Sequence, residues 1–121
     1  MKLLAVILFG IFISNTEMAS AHPDSHCTLD QKTSAFMIQS KTRGEYPSVM
    51  RSLVSFPEKK VEVFHVSTAY FGEVIHQITV SVDGKVIRNE KIRQWSSEIG
   101  RQIRLKSIID QGTMLTCVIA G

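Results

Sequence analysis

The chain has 121 residues, of which 44% are hydrophobic and 21% charged, with a formal net charge of +3. That balance excludes a disordered polyelectrolyte and a bundle of membrane helices, and it leaves room for one domain with one modest core. A charge of +3 is mildly basic and falls short of what a nucleic-acid binder carries, so no nucleic-acid partner is expected.

Lys2 followed by the unbroken apolar run Leu3 to Ile13 reads as the n- and h-regions of a signal peptide. The run is too short to span a bilayer, and no second run of membrane length follows, so no membrane span is expected. Ala19-Ser20-Ala21 is a small-x-small cleavage site, which assigns residues 1–21 to the signal peptide and starts the mature chain at His22. Lys2 and Glu17 leave together, so the mature charge stays at +3. The expected product is secreted and extracellular.

Residues 22–34 are polar, contain Pro23 and read as an N-terminal arm; residues 35–121 read as a single β domain. The only cysteines, Cys27 and Cys117, are expected to form one disulfide in an oxidising compartment, since no CxxC or ligand cluster suggests redox or zinc chemistry. Ala35 to Gln39 is a short apolar run. Lys41 to Pro47 is a polar turn region punctuated by Gly44 and Pro47. Val49 to Phe56 predicts a strand with Met50, Val54 and Phe56 on one face, ended by Pro57. Val61 to Thr68 alternates Val61, Val63 and His65 against Glu62, Phe64 and Val66.

After Tyr70-Phe71-Gly72 comes the clearest pattern in the chain. Ile78, Val80 and Val82 alternate with Gln77, Thr79 and Ser81, Asp83-Gly84 interrupts, and Lys85-Val86-Ile87-Arg88 resumes. Asp-Gly between two such runs predicts a two-residue hairpin, because a type I′ turn needs positive φ at both central residues.

Ile92, Trp95, Ile99 and Ile103 have the spacing of a helix face, but Gly100 and the β-branched run that follows favour a loop from Gln94 to Gly100 with Trp95 anchored on the core. Gln102 to Ile109 places Ile103, Leu105 and Ser107 inward and Arg104 and Lys106 outward. Asp110 to Thr113 predicts a second hairpin turn with Gly112 left-handed, and Met114 to Ala120 the last strand. Six or seven strands with regular turn signals predict an all-β fold, a small antiparallel β-sandwich or flattened barrel.

Several of these segments resemble a known family. Arg43-Gly44-Glu45 before a long strand is similar to its Pro-Gly-Asp-type turn. Val74-Ile75-His76-Gln77-Ile78 leading to Asp83 fits as well, as does Ile103-Arg104-Leu105-Lys106-Ser107 followed by Gly112 and a terminal apolar strand. From Phe36 to the C-terminus the chain resembles the insect multiprotein bridging factor two family, many of whose members are labelled salivary secreted peptides. In place of the family's glycine-rich Gly-Gly-x-Gly segment stands Gln94 to Gly100, where only Gly100 corresponds. The resemblance implies a secreted β-sandwich domain of an arthropod. The transcriptional co-activator role of the founding member is not carried over, because a signal peptide routes the chain away from the nucleus.

Enzyme chemistry finds little purchase. Ser, His and Asp occur without a Gly-x-Ser-x-Gly setting, the carboxylates stand singly, and no glycine-rich phosphate loop is present, so no catalytic residue and no cofactor is expected. His22, exposed by cleavage, offers an amine and an imidazole that with His65 or His76 would make a three-nitrogen copper site of an oxygenase; a solvated terminus and two strand histidines are the simpler reading.

Charge is more directional. Between Lys85 and Lys106 seven basic residues face two acidic ones. Lys85, Arg88, Arg93, Arg104 and Lys106, with Trp95 beside them, are the candidate site for an anionic partner such as a sulfated glycan, an acidic lipid or an acidic protein. The plainer reading is that these cations keep sheet edges soluble. The expected function is therefore a small secreted non-enzymatic binding protein, monomeric or weakly self-associating. The alternative is an inhibitor or effector acting through the loop Gln94 to Gly100.

Overall fold

A computed structural model of the chain describes residues 21–42, 44, 46–95, 97, 101–110 and 112–120, the side chains of residues 21–24 excepted. The expected signal peptide therefore lies, save Ala21, outside the described residues.

Eight strands follow one another: β1 (Ala21–Leu29), β2 (Lys32–Lys41), β3 (Ser48–Phe56), β4 (Val61–Tyr70), β5 (Glu73–Val82), β6 (Lys85–Trp95), β7 (Ile103–Asp110) and β8 (Thr113–Ile119). They form one antiparallel sheet in the order β6-β5-β4-β3-β2-β1-β8-β7, curled into a nearly closed barrel. The all-β expectation holds, with eight strands in place of six or seven.

Residues 22–34, read from the sequence as an arm, are instead β1 and the start of β2. Ser25, Cys27 and Leu29 alternate inward against His26 and Thr28, so the period-2 signal was present but carried by small and polar side chains. Asp30 and Gln31 make the turn between the two strands, both with positive φ (50° and 67°), which only Gly, Asn and Asp adopt readily. Asp83 and Gly84 make the expected turn of the same kind (φ 54° and 79°), flanked by the pair Val82–Lys85.

The core fills the inside of the barrel with Leu29, Phe36, Val54, Phe56, Val61, Val63, Ile78, Val80, Leu105, Leu115 and Ile119. Each sits at an inward register position of its strand, which is why alternation alone identified most of them. β1 and β8 join the first and last parts of the chain. Cys27 and Cys117 are direct partners across that pair, bonded as a disulfide with Cα atoms 4.0 Å apart. At the same junction the Ala120 amide donates to the buried Ser25 hydroxyl at 3.0 Å.

The two ends of the barrel differ. One carries the connections β1–β2, β3–β4, β5–β6 and β7–β8, and there the Asp83 amide donates to the Lys60 carbonyl at 2.8 Å. The other carries the connections β2–β3, β4–β5 and β6–β7.

Candidate functional site

β6 and β7 are consecutive in sequence, yet they are the two edges of the sheet. Their Cα atoms stay almost everywhere more than 8 Å apart, against about 4.5–5.5 Å across a paired ladder. The barrel thus has a seam.

Side chains bridge it. The Arg88 guanidinium donates to the Lys106 carbonyl of β7 and forms an ion pair with Glu90 at 3.0 Å. Further along, the Gln94 amide donates to the Arg101 carbonyl at 3.1 Å. Arg88 and Glu90 lie at inward positions of β6, opposite Val80 and Ile78. Inward charges are one way in which edge strands resist further pairing.

A single irregularity explains where β6 aims its side chains. The Asp83-Gly84 turn alone would continue Val82–Lys85 and Ser81–Val86 to Val80–Ile87, turning Ile87 inward and Arg88 outward. The register instead shifts between Val80 and Ser81, so that Val80 faces Arg88. Beyond the bulge every side chain changes sides. Arg88 is therefore turned into the seam rather than onto the outer basic face. Gln94 is buried, and Trp95, expected on the core, points outward opposite Glu73 and is 53% exposed. The expected loop from Gln94 begins later, since β6 runs through Trp95; of its remainder, residues 96 and 98–100 lie outside the described residues.

The other candidate cations fall on both banks of the seam. Lys85 is exposed at the start of β6, and Arg104 and Lys106 point outward from β7. Arg93 points outward from β6, pairs with Glu73 at 2.9 Å and stands 5.3 Å over the Trp95 ring. Arg104 is steadied by Gln102 at 3.1 Å. Two further cations of the same run, Lys91 on β6 and Arg101 ahead of β7, are exposed and belong to the strip. The count of seven basic residues along the run already includes both, although neither is among the candidate site residues. Among the described residues Lys85, Lys91, Arg104 and Lys106 have no acidic partner.

Behind β6 a buried polar chain runs inward from the seam. His76 Nε2 meets Gln94 Oε1 at 3.0 Å, and His76 Nδ1 meets His65 Nε2 at 2.9 Å. Since the Gln94 amide group donates to Arg101, its oxygen must accept, which assigns the His76 proton to Nε2. His76 Nδ1 then accepts from His65 Nε2–H. The rings stack with centroids 5.1 Å apart, and Phe36 meets His65 edge-on at 5.9 Å. Burial holds His76 below its ordinary value, with the Gln94 bond opposing. The two imidazoles considered with His22 as copper ligands thus have ring nitrogens engaged with each other and with Gln94; the His22 side chain lies outside the described residues. Among the described residues no group of three or more His, Cys, Asp or Glu is placed to hold a metal ion.

Comparison with family models, curated proteins and solved structures finds no match to this chain.

Proposed function

We propose that this is a secreted, non-enzymatic binding protein whose partner is anionic and is held by the cationic strips on the two banks of the seam. One observation carries the reading: the chain's most basic stretch is divided between the two edge strands, so Lys91 faces outward on one bank and Arg104 and Lys106 on the other. Like charges gathered there without acidic partners raise the local potential and attract a counter-charged surface. The signal-peptide pattern and the Cys27–Cys117 bridge support an extracellular setting. Membership of the insect multiprotein bridging factor two family belongs to the same proposal, without its transcriptional role.

Heparin serves as the anionic probe. The mature chain should elute from immobilised heparin only on addition of salt, and Lys91→Gln/Arg104→Gln/Lys106→Gln should elute at clearly lower salt. Equal elution of the two proteins would return the strip to mere solubility.

A further inference from the structure

Both tyrosines and the single tryptophan of the chain lie at the end of the barrel that carries the β2–β3 and β4–β5 connections. Tyr70, Glu73 and Trp95 are consecutive partners across β4, β5 and β6. Phe71 follows Tyr70 in the turn Phe71-Gly72, and its ring stacks on Tyr46 with centroids 3.9 Å apart. Phe71 is 85% exposed, Tyr46 49% and Tyr70 42%.

Such clustering needs an explanation, because an apolar ring at the tip of a turn gains nothing from water. The residue types are informative. Tyr and Trp combine an apolar body with one polar atom and concentrate at the headgroup level of bilayers, while Phe has no polar atom to satisfy and enters the acyl boundary. Cations stand beside the rings: Arg93 over Trp95, Lys91 next along the same outer row, and Arg101 ahead of β7. Glu73, set between Tyr70 and Trp95, is paired with Arg93 at 2.9 Å. Aromatic tips with Arg93 and further cations along one flank complement a surface that is apolar within and negative at its face.

We infer that this end of the barrel docks on an anionic lipid surface, with Phe71 and Trp95 entering the headgroup layer and Lys91, Arg93 and Arg101 meeting the lipid phosphates. The inference rests on the proposed anionic partner and names its class.

The chain from His22 onward keeps all eight strands and lacks the apolar run that would bind lipid by itself. Its one tryptophan makes emission a local probe of this end. With vesicles of phosphatidylcholine and phosphatidylglycerol, Trp95 emission should shift to the blue and become shielded from iodide; vesicles of phosphatidylcholine alone should do neither. Phe71→Ser, a change at an exposed turn position, should weaken vesicle binding about tenfold with heparin elution unchanged, and Phe71→Leu should restore most of it. Absence of anionic-vesicle binding with heparin retention intact overturns the lipid surface and leaves the anionic partner, a glycan or acidic protein, standing. Vesicle binding with unshifted Trp95 emission, or equal binding by Phe71→Ser, reduces the contact to electrostatic adsorption and overturns the docking. Loss of heparin retention by the unaltered chain strikes the proposed function itself.

Discussion

His76 takes its tautomer from a side-chain amide, and its burial makes it sensitive to acid. Its ordinary value is 6.5, and burial holds the folded-state value lower. At pH above 6.5 the ring is neutral whether the chain is folded or not, and the His65–His76–Gln94 bonds contribute fully. As pH falls through 6.5, the unfolded chain takes up a proton that the folded chain refuses. Stability then declines, by at most about 1.4 kcal/mol per pH unit for one proton, until pH passes below the depressed native value. Urea midpoints at pH 7.5 and 5.5 should show this decline, and His76→Gln should reduce it; an equal decline in both proteins would place the acid sensitivity elsewhere. The meeting of the two histidines was partly legible. Both stood at strand positions, but their contact depends on register. His65 faces Ile78, and His76 faces Ser67, so the two rings meet along a diagonal of the pair. The two-residue turn Phe71-Gly72 fixes that register, and the sequence marks it only by a single glycine.

At the scale of strands, the bulge in β5–β6 decides more than any other local feature. Alternation identified β3, β4, β5, β7 and β8, and Asp83-Gly84 identified the hairpin. What alternation cannot report is a register shift inside a ladder, because the bulge leaves the period on either side intact and changes only its phase. Arg88 falls on the opposite face from the one expected for this reason, whereas Trp95 was expected on the core because Gln94 to Gly100 reads as a loop, which the structure replaces at its start by the end of β6. β1 was missed for another, since Ser25 and Cys27 occupy inward positions without the bulk that signals a core. The seam gives these corrections an energetic test. Arg88 holds both Glu90 and the Lys106 carbonyl, so Arg88→Ala leaves a half-buried carboxylate and a backbone acceptor short of a donor. It should cost about 1–2 kcal/mol in urea unfolding, whereas the outward Arg104→Ala should stay within about 0.5 kcal/mol. Equal small effects would mean that the bridge is not formed in solution.

At the scale of the whole fold, six of the seven ladders among the described residues join strands adjacent in the chain, and β1–β8 alone of them joins strands far apart in it. The cysteine pair was legible because two cysteines in an oxidising setting allow one bridge; its place in the ladder was not. Cys27–Cys117 closes 90 residues at that long-range junction. Removing it as Cys27→Ala/Cys117→Ala should lower unfolding free energy by about 3–4 kcal/mol, mainly by freeing the unfolded chain. A change under about 1 kcal/mol would show that the β1–β8 ladder needs no staple.

The β1–β8 junction lets the chain be rewired without changing the sheet. The ladder sets the beginning of β1 beside the end of β8, while the natural break in the sheet lies between β6 and β7. A circular permutant that links Ile119 to Ala21 and opens the chain in the β6–β7 connection would start at β7 and finish at β6. Sequence order would then equal spatial order throughout, making the fold an uninterrupted meander of hairpins. Its folding would no longer wait on a distant encounter, and its disulfide would close a loop of roughly 15 residues, lowering the bridge's entropic contribution to about 3 kcal/mol. The wild-type connectivity is the costlier way to make this barrel, and the bridge between its first and last strands is what offsets it.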